Sequence, residues 1–159
     1  MYLIGFADEV SSNIEYQIRV TKELGWNAIE ARRIGELNID DISDADFENV
    51  CKVLLDNGIH INCFGSTIAN WSKKISDPFE ISLQEVERTI SRMQRLNVKL
   101  VRIMSYSRCP GSEQYGEERF RRLKVICNKF LDAEITPLHE NCMNYGGMSW
   151  VHTLELIKN

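Results

Sequence analysis

The residues best placed to do chemistry are His139, Glu140 and Asn141, which end the short apolar run Ile135-Thr136-Pro137-Leu138. A run of this length reads as a buried strand of a parallel sheet, with the three polar side chains delivered at its carboxyl end. Ligand sites of α/β proteins gather at that end of the strands, so Glu140 is the first candidate for catalysis or cation binding. Alternation along a strand turns His139 to the side opposite Glu140. The same carboxylate would also serve simply to cap the next helix, and spacing alone leaves both uses open. The loop beyond, Cys142-Met143-Asn144-Tyr145-Gly146-Gly147, reads as a close-packed turn. Its glycines lack a basic partner, which makes them turn chemistry rather than a phosphate cradle.

This strand is the fifth of a series. Tyr2 to Ala7 is a first apolar run, and it ends in Asp8-Glu9. Ser11, Ser12 and Asn13 offer caps for a helix from Ile14 to Leu24, with Ile18, Thr21 and Leu24 towards one side. Trp26 to Ala31 is the second strand, placing Glu30 and Arg32 near its end, and the polar stretch from Arg33 to Ile42 reads as irregular. Ser43 and Asp46 resemble a capping box; Phe47, Val50, Cys51, Leu54 and Leu55 then mark the buried stripe of a second helix. Ile59 to Phe64 is the third strand, running into Ser66. Asp77-Pro78 opens a third helix with Leu83, Val86, Ile90, Met93 and Leu96 inward. Val98 to Met104 is the fourth strand, ending in Ser105-Tyr106. Phe120, Leu123, Ile126, Cys127, Phe130 and Leu131 mark a fourth helix, and Trp150, Leu154 and Ile157 a last one.

Helix-to-strand junctions fall at Gly25, Gly58, Asn97 and Glu134, spaced by 33, 39 and 37 residues. Units of that length, with no hairpin signal between strands, imply parallel strands joined by right-handed crossovers. Polar residues recur at every strand end: Asp8-Glu9, Glu30-Arg32, Ser66, Ser105-Tyr106 and His139-Glu140-Asn141. That distribution favours a barrel over a doubly wound nucleotide fold, whose glycine-rich first loop is missing. No linker or low-complexity stretch divides the chain, so residues 1–159 read as a single domain. Four units fill residues 2–134, about 33 residues each, and eight would need roughly 260, near the ~250 of a closed barrel. The expectation is therefore an α/β fold, a partial (β/α) TIM barrel with about five parallel strands.

Composition narrows the classes of partner. The chain is 43% hydrophobic and 26% charged, with net charge −4 and pI near 5.4, which argues against a nucleic-acid groove. Arg119, Arg121, Arg122 and Lys124 cluster, but Glu117 and Glu118 precede them on the same helix; acid first and base later suits the helix dipole and reads as a solvated face. The five cysteines show no CxxC and fit reduced thiols in the cytoplasm. A strand stands where a signal peptide would, and no apolar run approaches the ~18 residues of a membrane span.

The stretches IGFADEVSS, AIEAR, CFGS, VRIMSY and PLHENCMNYGGMSW together resemble the N-terminal part of the xylose isomerase-like TIM-barrel family, the sugar (phosphate) isomerase/epimerase group. Glu134 departs from the glycine common there; a positive φ would cost about 1 kcal/mol. The resemblance implies a divalent metal (Mn, Mg, Co or Zn), held by Glu140 as the strand-five ligand and by residues of later strands that this sequence does not contain. Glu140 is thereby the catalytic and metal candidate, and a lone carboxylate is not expected to retain the ion. Glu30, Arg32, Ser66, Ser105, His139 and Asn141 are the substrate-binding candidates, although Glu30 and Arg32 read equally as a surface ion pair. Asp8 and Glu9 read as caps of the first helix, and His60 and His152 as structural or exposed.

Three functions follow. The first is a sugar isomerase/epimerase-like protein acting on a small carbohydrate by metal-dependent proton transfer in complete relatives, and inactive as this isolated chain. The second is a non-catalytic assembly module whose open sheet edges form a homo-oligomer or accept a complementing C-terminal polypeptide. The third, endonuclease-like chemistry, is disfavoured by acidic charge and the missing histidine-rich cluster.

Overall fold

Helix boundaries follow the caps written into the chain, which a computed structural model describes over residues 3–159. Tyr2, at the start of the first expected strand, lies outside the described residues. α1 (Ile14–Glu23) begins after Asn13, whose side chain accepts the Tyr16 N–H at 2.8 Å. α2 (Asp44–Asn57) begins after Ser43, whose hydroxyl accepts the Asp46 N–H, and stops at Gly58 with φ +64°. Each side-chain cap satisfies a donor that the first helical turn leaves open, for about 1 kcal/mol. α3 (Phe79–Arg95), α4 (Gly116–Asp132) and α5 (Trp150–Lys158) follow.

The strands are β1 (Ala28–Ala31), β2 (Arg33–Ile34), β3 (Leu37–Asn38), β4 (His60–Gly65), β5 (Leu100–Ile103) and β6 (Thr136–His139). β1, β4, β5 and β6 form one sheet in that order, a parallel sheet whose strands alternate with helices along the chain. β2 and β3 pair separately as a small antiparallel hairpin. Arg33 to Ile42 is thus not wholly irregular: Gly35, at φ +62°, lets the chain reverse within two residues.

The residues divide into two compact units. The first runs up to Ser66 and includes Ser91–Leu100. In it β1 and β4 pair in register Ala28↔His60 and Ala31↔Phe64, with an irregularity between Ile29 and Glu30. The first expected strand contributes a parallel bridge from Phe6 to Glu30, and Gly5 O accepts the Glu30 N–H at 2.9 Å. Ile18, Ile29, Val50, Leu54 and Phe64 are buried here. Leu55 is 81% exposed, so the apolar stripe of α2 is narrower than its spacing suggests. Arg92 is buried and donates to the carbonyls of Ile39 and Ile42 at 2.7 and 2.6 Å.

The second unit comprises Thr67–Ile90 and Val101–Asn159. Val101, Ile103, Ile126, Phe130, Ile135 and Tyr145 are buried in it. α4 corrects the reading of its basic cluster as a solvated face. Arg119 and Arg122 are buried, because they share the helical face of Leu123, Ile126 and Phe130, and only Arg121 and Lys124 are exposed. Leu131 is exposed at the helix end, and so are Trp150, Leu154 and Ile157 of α5.

Two corners use the left-handed conformation without glycine. Asn97 has φ +53° before β5, and Glu134 has φ +58° before β6. Asn tolerates this region through local hydrogen bonding, whereas at Glu134 a full side chain sits where a Cβ is disfavoured.

Candidate functional site

β6 ends at His139, and the Glu140 N–H donates to Ile103 O at 3.0 Å, so Glu140 is held against the last residue of β5. Its carboxylate faces a guanidinium: Arg102 Nη1 stands 2.9 Å from Glu140 Oε2. Arg102 lies between the buried Val101 and Ile103, so alternation turns it to the other face of β5. The contact is an ion pair by distance but lies off the line of a hydrogen bond, since the buried Oε2 has no hydrogen-bond donor. Arg102 was not among the sequence candidates. The signal was present, for an arginine inside an apolar strand requires a counter-charge.

Beside this pair lies a hydrogen-bonded knot. Ser105 is fully buried at the end of β5, and its hydroxyl meets three groups: Asn144 Oδ1 at 2.7 Å, Gly146 N at 2.9 Å and His139 Nε2 at 3.1 Å. Asn144 Nδ2 donates to Glu140 O at 2.8 Å, which orients the amide with its oxygen towards Ser105. Ser105 has one proton, and Asn144 Oδ1 can only accept it. Gly146 can only donate, so His139 must donate from Nε2 and keep its lone pair on Nδ1. His139 is exposed along the strand, yet its ring is crowded: a Cβ on Gly146 would come 2.5 Å from Cε1 and 3.0 Å from Nε2. Desolvation holds the imidazole below its ordinary range, against the opposing pull of the Glu140 charge.

The loop after β6 is shaped by close approach. A Cβ on Gly147 would stand 1.7 Å from Cys142 O, so this position admits no side chain without moving backbone. Neither Gly146 nor Gly147 has a positive φ, and proximity rather than unusual backbone is what demands glycine.

Of the sequence-derived candidates, the second unit brings Ser105 and His139 into contact and ties Glu140 to them through Asn144. Asn141 turns away, donating to Thr153 Oγ1 at 2.9 Å. In the first unit Arg32 pairs with Asp8 at 2.8 Å and with Glu9 at 2.5 Å. Asp8 and Glu9 therefore bind the arginine, and the cap of α1 is Asn13. Glu30 lies on β1 and Ser66 is fully buried just beyond β4.

A divalent metal does not fit the residues present. Glu140 is one carboxylate already facing a cation, His139 is bonded to Ser105, and no group of three ligating side chains occurs among the described residues. Such an ion needs several convergent ligands. Asn144, Tyr145 and Arg119 were also missed as parts of this region; Arg119 donates from Nη1 to Ser105 O at 2.7 Å.

No protein-family model and no curated protein matches the chain. Solved structures do. A xylose isomerase-like TIM-barrel protein from Mycobacterium smegmatis, in complex with magnesium, superimposes with TM-score 0.74 at 15% identity, over 99% of this chain and 60% of that one. The probable 3-DHS dehydratase AsbF from Bacillus anthracis gives TM-score 0.74 at 18% identity, over 99% and 58%. D-psicose 3-epimerase with D-tagatose from Clostridium cellulolyticum H10 gives 0.65 at 14%, over 98% and 58%. The fold is that of part of a xylose isomerase-like TIM barrel, as the sequence resemblance implied, and the chain spans about 60% of the length of that magnesium-bound structure.

Proposed function

We propose that the chain carries one portion of a carbohydrate site of the isomerase/epimerase type, centred on Glu140, and that alone it binds without turning over. The observation that supports this reading is the Arg102–Glu140 pair at the carboxyl end of adjacent strands, braced by the Ser105–Asn144 knot. A carboxylate and a guanidinium side by side suit a polyol: one accepts from hydroxyl groups, the other donates to hydroxyl or carbonyl oxygen. Glu140 is the group able to take a proton from a sugar carbon or hydroxyl, and the Ser105 network fixes the backbone that aims it. His139 presents Nδ1 as an acceptor beside it.

Isomerisation also requires an electrophile to stabilise the charge that develops on the carbonyl oxygen. The magnesium-bound structure suggests a metal for that task in relatives, and the donor set here does not fit one. No step in this chain therefore depends on an ion, and no turnover is expected of it alone.

The test combines metal content with a ketose panel. We expect no isomerisation or epimerisation with Mn, Mg, Co or Zn supplied, and weak ketose binding that Glu140→Gln reduces. Stoichiometric metal with turnover would overturn the inactivity, and ketose binding indifferent to Glu140→Gln would overturn the site.

The exposed apolar face of α5, with Trp150 74% exposed, favours a second reading in which the chain assembles with another copy or with a complementing polypeptide. A monodisperse monomer by size-exclusion chromatography that takes up no such polypeptide would remove it.

A further inference from the structure

The second unit holds a cavity of about 750 Å³ between the loops that follow β4 and β5, within the size range of small-molecule sites. Neither Glu140 nor Arg102 lines it, so it stands apart from the carboxylate site; Cys109 does, together with Lys74 and Arg108. We infer that the cavity admits an acidic low-molecular-weight disulfide and that Cys109 exchanges with it to form a mixed disulfide.

Behind the sulfur stands a cation without a counter-charge. Arg119 is fully buried and donates from Nη2 to Cys109 Sγ at 3.2 Å. Its other donors go to carbonyls, to Ser105 O and Ser107 O at 2.7 Å each and to Gln114 O at 2.5 Å. Carbonyls satisfy N–H groups but leave the charge uncompensated, and no carboxylate lies within ion-pair distance of this guanidinium among the described residues. Of the groups that accept from it, only the Cys109 sulfur can carry negative charge. The Gln114 side chain closes the same loop, accepting from Cys109 N and donating to Cys109 O, each at 2.9 Å. Both backbone groups of Cys109 are thus tied, and the sulfur is held at the cavity wall against the buried cation.

The open side of the cavity is cationic too. Lys74 and Arg108 are exposed, and neither has a carboxylate within ion-pair distance among the described residues. Of the two acids on the lining, Glu118 is taken up by Arg121 and Arg122, each at 2.6 Å. That leaves Glu113 against Lys74, Arg108 and the buried Arg119, a balance that draws in an acidic reagent and repels a basic one. The other cysteines lack this setting. Cys51 and Cys63 are buried, and burial pushes the thiols of Cys51 and Cys127 up. Cys142 is half-buried like Cys109, yet its sulfur accepts from no cation among the described residues. Exchange-competent cysteines occupy electropositive, partly exposed surroundings, whereas thiols in apolar ones stay inert.

The exchange needs no oxidant beyond the disulfide. Cys109, having given its proton to solvent, attacks one sulfur of the reagent. The new Sγ–S bond forms as the old S–S bond breaks, and the electron pair leaves on the departing thiolate, which takes up a proton. Cys109 is oxidised, and the departing half of the reagent is reduced to a thiol.

The experiment treats the folded 159-residue chain with glutathione disulfide, which carries carboxylates, and separately with cystamine, which carries ammonium groups. Peptide mass spectrometry follows mixed-disulfide formation at each cysteine, with Cys142 in the same sample as the reference. With glutathione disulfide Cys109 should react about tenfold or more faster than Cys142, a lead that cystamine should not reproduce. The Lys74→Ala/Arg108→Ala double variant should erase most of that lead while leaving alkylation of Cys109 by neutral iodoacetamide unchanged. Raised salt should shrink the lead in the unaltered chain, with no variant needed. If Cys109 gains no lead over Cys142 in the folded chain, the inference fails. It fails also if the lead is as large with cystamine, or survives both the double variant and high salt, because the charge of the cavity then does not select the reagent.

Discussion

Replacing Arg119 by methionine removes the guanidinium while keeping most of the side-chain length. Three carbonyl oxygens then lose a donor: those of Ser105, Ser107 and Gln114. A buried acceptor left without a partner costs about 1–3 kcal/mol, which sets the gross loss at several kcal/mol. Part of this is returned, because desolvation of the buried guanidinium, which pulls its pKa down, no longer opposes folding. Methionine also keeps the apolar contact beneath Tyr145, whose ring centroid lies 5.1 Å from the guanidinium carbon. The net loss should be about 3–4 kcal/mol, a large share of the ~5–15 kcal/mol that stabilises a domain. Urea unfolding followed by tryptophan fluorescence should place the midpoint about 2 M lower, taking an m-value near 2 kcal/mol/M. The control is Arg121→Met, an exposed neighbour on the same helix, whose surface ion pair with Glu118 is worth at most about 1 kcal/mol, so its loss should lower the midpoint by no more than about 0.5 M. Equal midpoints for the two variants would refute the account of a loop built on a buried cation.

Four further outcomes follow from the geometry. Glu134→Gly should stabilise the chain by up to about 1 kcal/mol, since φ +58° suits glycine, and the thermal midpoint should rise by about 2–4 °C. Glu118 is held at a pKa of about 2, against an ordinary 4.5, chiefly by hydrogen bonds from Arg121 and then Arg122. A depressed folded-state value gives stability that is present above pH 4.5 and fades towards pH 2, so Glu118→Gln should flatten the acid unfolding curve in that window. Gly147→Ala, with its Cβ 1.7 Å from Cys142 O, should cost about 3 kcal/mol or more and raise amide exchange at Asn144 and Gly146. Nitrogen-15 NMR should find His139 protonated on Nε2, a preference that Ser105→Ala should weaken; an Nδ1–H tautomer in the wild type would contradict the proton count.

Periodicity made the alternation of strands and helices legible, and the caps at Asn13, Ser43 and Gly58 could be read residue by residue. The misread arginines share a cause, because each has a partner that is remote along the chain. Arg119 and Arg122 fall in step with Leu123, Ile126 and Phe130, so their spacing alone placed them inward. Their charge argued the opposite, and nothing in the local sequence announced the Ser105 and Ser107 carbonyls that receive Arg119. Arg102 is the parallel case on a strand: alternation put it on the face opposite Val101 and Ile103, but its partner Glu140 lies one crossover away in the chain. Glu140 itself was visible because it ends an apolar run, whereas the guanidinium beside it was hidden inside one. A buried arginine at an apolar register position is therefore information about what the neighbouring loop or strand must supply. Here it pointed to both the carboxylate of the candidate site and the loop wall of the cavity.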